Sequence, residues 1–69
     1  MGHFLRVGDL ARVVNLAWGI DPESGQDDFL QHDTRLLVVG SDPKSPEVKV
    51  SDGRRTLMVR RRDLQWADI

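Results

Sequence analysis

The segment from Val48 to Leu64, VKVSDGRRTLMVRRRDL, restricts the fold more than any other part of the chain. Val48 and Val50 alternate with Lys49 and Ser51, Asp52-Gly53 follows as a turn dipeptide, and Leu57 and Val59 resume the alternation against Thr56, Met58 and Arg60. Successive side chains on a strand point to opposite faces, and Asp-Gly supplies the backbone freedom a tight turn needs. The pattern therefore predicts a β-hairpin with one apolar face. A lone hairpin is not stable in water, so the rest of the chain must supply strands that cover that face.

The length of 69 residues is read as one domain, 1–69. It lies near the lower limit for folding without disulfides, metals or oligomerisation, which makes a partner or a second copy an expectation. The absence of Cys excludes a disulfide framework and thiolate metal sites. No apolar run approaches the roughly 18 residues that span a bilayer, and no signal-peptide pattern is seen. The expectation is a soluble, cytoplasmic protein with no membrane partner.

Residues 4 to 18, FLRVGDLARVVNLAW, fit two patterns. As a strand, Val7, Ala11 and Val13 face the core, Arg12 and Asn15 face out, and Gly8-Asp9 forms the bend leading in. As a helix over 9–18, Asp9 is the N-cap, Leu10, Ala11, Val14, Ala17 and Trp18 form one face, and Gly19 ends it. The β-branched pair Val13-Val14, the lack of an acid or Gln at the third helical position and an exposed Leu16 weigh against the helix. The strand is adopted, with an α+β fold carrying the 9–18 helix as the alternative.

Residues 19 to 34, GIDPESGQDDFLQHDT, hold five acids and no Lys or Arg, and read as a long acidic loop anchored through Phe29. Residues 35 to 40, RLLVVG, read as a central strand buried on both faces, and SDPKSPE at 41–47 reads as a turn. After the hairpin, residues 61–64 are expected as a single helical turn and 65–69 as a closing strand with Trp66 packed inward.

In order, this is strand, long loop, strand, short loop, strand, tight turn, strand, helical turn and short strand. The order resembles a small five-stranded SH3-like barrel of the bacterial kind. The resemblance rests on Val7-Gly8-Asp9-Leu10-Ala11-Arg12-Val13 as first strand and lead-in, Ser51-Asp52-Gly53-Arg54 as distal turn, and Arg61-Arg62-Asp63-Leu64 before the last strand. It implies an accessory subunit, a protein-docking module or a nucleic-acid binder. The chain has no Tyr and lacks the aromatic-lined groove of the eukaryotic peptide-binding SH3 family, so proline-motif recognition is not implied.

Catalysis needs a nucleophile with a base, a metal with an open position or paired carboxylates, and the sequence groups none of these. His32-Asp33 beside Asp27-Asp28 offers one imidazole, too little for zinc, and Asp21, Glu23, Gly25 and Asp27 lack the closing Glu of a calcium loop. No catalytic residue, metal site or cofactor is assigned. Two surfaces remain. Trp18, Asp27 and Asp28 with the outward Met58 form a candidate site for a protein partner or a second copy, Trp18 being the anchor. Arg54, Arg55, Arg60 and Arg62 form the alternative, a nucleic-acid site contacting phosphates. The bland reading of those arginines is a strand edge kept soluble and paired with the acidic loop.

Overall fold

In the computed structural model, which describes residues 5–67, every regular element except one turn is a strand. The strands are β1 (Leu10–Val13), β2 (Ala17–Ile20), β3 (Asp27–Leu30), β4 (Arg35–Ser41), β5 (Glu47–Ser51), β6 (Thr56–Arg60) and β7 (Leu64–Trp66). A 3-10 turn at Arg61–Asp63 separates β6 from β7. All ladders are antiparallel and join the strands into one sheet in the order β3-β2-β6-β5-β4-β1-β7. Its end strands, β3 and β7, each pair on one side only, so the sheet is not closed.

The hairpin forms as expected. Glu47 to Ser51 pair residue by residue with Arg60 to Thr56. The turn between them is held by its own polar groups: the Arg54 and Arg55 backbone N–H groups donate to Asp52 Oδ1 at 2.8 and 3.0 Å, and Gly53 N–H donates to Ser51 Oγ at 3.1 Å. Gly53 has φ +96°, a conformation that costs other L residues roughly 1–2 kcal/mol. Val48, Val50, Leu57 and Val59 are fully buried and meet Ala11, Val13, Leu36 and Val38 from β1 and β4 in one core.

Residues 9–18 form no helix. They contain β1, a bend and the start of β2, because alternation at Ala11 and Val13 buries one strand face. Val7, expected in the core, is 65% exposed, since it lies in the turn ahead of β1 rather than on the strand. The largest correction concerns the expected acidic loop 19–34, which contains β3 and the second half of β2, so that seven strands stand where five were expected. Ala17 to Ile20 pair with Leu30 to Asp27; residues 31–34 remain a turn, as does the hairpin's own connection at 21–26. Asp21 organises it: Oδ1 accepts Glu23 N–H at 2.9 Å, and the Asp21 carbonyl accepts Gly25 N–H at 2.7 Å. The inward anchor of this second hairpin is Leu30, not Phe29, which is 47% exposed.

The hairpin β2-β3 inverts the usual order of sizes. Its inward residues on β2 are Ala17 and Gly19, while Trp18 and Ile20 point outward. The inversion has a steric cause in Leu57 and Leu30. A Cβ placed on Gly19 would lie 3.0 Å from Leu57 Cδ1 and 3.3 Å from Leu30 Cδ1, so β2 closes on the core only without a side chain there.

Two other expectations change. In β4, Leu36 and Val38 are buried while Leu37 and Val39 are exposed, so the strand is covered on one face only. Trp66 lies opposite the buried Ala11, on the core side of the sheet, yet is 40% exposed because β7 is an end strand. The closing strand starts at Leu64 and ends at Trp66; the part of the expectation that falls on residues 68 and 69 lies outside the described residues.

Overpacking a filled core costs about 1–3 kcal/mol. Gly19→Val is therefore expected to lower the free energy of unfolding by that amount, and Gly19→Ala by less, as read from urea denaturation of the two variants beside the parent.

Candidate functional site

Residues that face each other across an antiparallel ladder share a face of the sheet. Trp18 is opposite Phe29 and Ile20 is opposite Asp27. Ile20 is also opposite Met58, and Met58 is opposite Lys49. Asp27, Ile20, Met58 and Lys49 therefore form one outward row across four strands. The β2–β6 register continued by two residues sets Trp18 level with Arg60, which is itself opposite Glu47. The second row is then Phe29, Trp18, Arg60 and Glu47.

Together the rows make an exposed apolar centre with charges at its margins. Trp18 is 59% exposed and packs edge-on against Phe29, with ring centroids 5.2 Å apart at 65°. In this arrangement the edge of one ring packs on the face of the other, which fixes the pair while both side chains stay exposed. The ladder between β2 and β6 has only the one registered pair, Ile20 with Met58. Beside it lies a groove of about 390 Å³, with Leu16, Trp18 and Ile20 on one wall and Arg60, Arg62 and Glu47 among the residues on the other.

Of the expected partner-binding residues, Trp18, Asp27 and Met58 come together on this face. Asp28 does not, because consecutive strand residues point to opposite sides. It lies opposite Gly19 on the inward side of β3 and forms an ion pair with Arg55. Phe29 and Ile20, not expected there, join the face instead. Their outward phase is readable only once β2 and β3 are recognised as a paired hairpin.

The arginines separate in the same way. Arg60 and Arg62 are exposed, line the groove and form no ion pair among the described residues. Arg54 and Arg55 stand at the opposite end of the hairpin, in a depression of about 550 Å³ shared with Asp21, Glu23 and Lys49. Arg55 is held by Asp28 and approaches Asp52 at 3.9 Å; the Asp21 carboxyl is held below its ordinary value first by the Glu23 backbone N–H and least by Arg55. The four arginines thus do not form one stripe. Arg61 has a structural role: its guanidinium donates to the Asp42 carbonyl at 2.8 Å and to the Ser45 carbonyl at 3.4 Å, fastening the 3-10 turn to the β4–β5 loop.

His32 is turned to the backbone, donating its Nδ1–H to the Val14 carbonyl, and Asp33 contacts Arg12 at 3.4 Å. Among the described residues no three His, Asp, Glu or Cys side chains cluster as a metal-ligand set, and no helix is long and apolar enough to cross a membrane. No protein-family model matches the chain, and comparison with curated proteins and with solved structures gives no significant match.

Backbone N–H donation from Arg54, and next from Arg55, holds the Asp52 carboxyl below its ordinary value of 3.8. A carboxyl lowered on folding stabilises the protein above its unfolded pKa, and that contribution is lost as pH falls through the folded one. Asp52→Asn is therefore expected to melt below the parent at neutral pH, with the gap narrowing below about pH 4. Thermal melts from neutral pH into acid check both parts.

Proposed function

We propose that this protein is a non-catalytic docking module whose working surface is the outward face of β3, β2, β6 and β5, centred on Trp18. The observation that carries the proposal is the exposure of Trp18 beside Phe29 and Ile20 on one face of the sheet. Large aromatic side chains are frequent energetic centres of protein interfaces, and contiguous exposed apolar side chains mark contact sites. The charges around them, Asp27, Lys49, Glu47 and Arg60, form a polar rim. An accessory subunit in a larger assembly would use the same face.

The strand order supports an SH3-like reading of the fold. β1, β4, β5, β6 and β7 follow the order of that resemblance, with the β2-β3 hairpin in place of its long loop and the 3-10 turn ahead of the last strand. The face also holds the outward part of the arginine set. Because Arg60 and Arg62 are exposed and two residues apart beside an aromatic side chain, nucleic-acid binding is a second reading. Arg55 is withdrawn from it by Asp28, and Arg54 lies at the far end of the hairpin.

Random peptides displayed on phage and selected against the parent protein test the docking reading. Selected peptides are expected to bind the parent and to lose about tenfold or more in affinity for Trp18→Ala. Peptides that bind both proteins alike would overturn it. For the second reading, fluorescence anisotropy with labelled single- and double-stranded DNA and RNA across a salt series is decisive. The docking reading expects no binding at micromolar protein in low salt, whereas salt-sensitive binding lost in Arg60→Ala and Arg62→Ala would replace it.

A further inference from the structure

The two outward rows are complementary to themselves. A two-fold axis lying in the plane of the face, parallel to the strands and between β2 and β6, reverses the order of each row. Asp27 then meets Lys49 of the second copy, Ile20 meets Met58, and Trp18 meets Arg60, each contact occurring twice as a two-fold interface requires. The first is an ion pair, the second apolar, and the third sets a guanidinium over an indole, a favourable cation–π contact. Phe29 with Glu47 is the one pair without evident complementarity. An axis across the strands would satisfy less: it pairs Lys49 with Glu47 and Ile20 with Trp18, but sets Asp27 against Phe29 and Arg60 against Met58. We infer that the docking partner of this face is a second copy of the chain, joined sheet to sheet about the strand-parallel axis.

The inference rests on the docking reading and names its occupant. Charge complementarity and chain length agree on it. Asp27 and Lys49 lie three strands apart in one copy, about 14 Å at ordinary strand spacing, too far to pair with each other. Between copies the axis brings them together. The side chain of Lys49 runs over Gly40, where a Cβ would lie 3.1 Å from Lys49 Cβ, so the Lys49 stem takes this course because residue 40 is a glycine. A folded unit of 69 residues buries roughly 60% of the surface its unfolded chain exposes, a smaller share than a larger domain buries, and a sheet-on-sheet contact would increase it.

Charge exchange tests the pairing. Asp27 and Lys49 are exposed, and circular dichroism verifies that their variants fold. Sedimentation velocity of the parent is expected to show a monomer–dimer equilibrium. Asp27→Lys alone and Lys49→Asp alone each place like charges at both ion-pair positions and should weaken the dimer by about tenfold or more. Mixed in equal amounts, they restore opposite charges at both positions and should form a one-to-one heterodimer that neither forms by itself. A parent that stays monomeric up to about 1 mM, the range of weak association, overturns the inference, as does a parent dimer whose two variants do not recombine. If the parent is monomeric while peptides selected on it are lost with Trp18→Ala, the docking reading stands and only the self-pairing falls.

Discussion

The contact of Gly19 with Leu57 and Leu30 is the constraint on which the architecture turns. Strands usually place small or polar residues outward and large apolar ones inward. On β2 the order is reversed, because Leu57 and Leu30 already fill the volume that a side chain at residue 19 would need. The strand can then approach β6 closely, and the hairpin it begins extends the sheet from five strands to seven. The same reversal turns Trp18 and Ile20 to solvent. Core packing and surface chemistry on this part of the molecule are one decision, made at a residue with no side chain.

Charge follows a comparable division. Of the arginines in the basic segment, Arg61 fastens a loop and Arg55 is compensated by Asp28 with Asp52 and Asp21 nearby. These two serve the fold. Arg60 and Arg62 stay exposed beside the aromatic pair, and Lys49 and Asp27 occupy opposite ends of the same outward surface. The net charge of −1 gives no sign of this, since the acidic and basic segments meet at the tips of the two hairpins and partly cancel there.

The parts of the fold legible from sequence are those in which turn chemistry and alternation coincide. The β5-β6 hairpin is the clearest, because Asp52-Gly53 fixes the turn and four buried aliphatic residues fix the inward phase. RLLVVG is visible as a strand, but a continuous apolar run does not say that Leu37 and Val39 remain uncovered. The β2-β3 hairpin is concealed by its own packing: AWGI and DDFL place small or charged residues where an inward apolar rhythm would be sought. For the site, Trp18 and Met58 are readable as outward residues. Asp27 and Asp28, adjacent in sequence, are divided by the pleat. Phe29 could be placed only after its cross-strand partner was known.

The single registered pair between β2 and β6 has a consequence for motion. Every other pair of neighbouring strands shares at least three registered positions. The β2-β3 hairpin is thus attached to the body through side-chain burial at Ala17, Leu30 and Leu57 more than through a ladder. Such a seam is where a small domain opens locally before it unfolds as a whole. The outward face straddles that seam, with Trp18 and Ile20 on one side and Met58 and Arg60 on the other. Anything bound across it acts as a staple, so occupancy of the surface and cohesion of the two parts are thermodynamically linked.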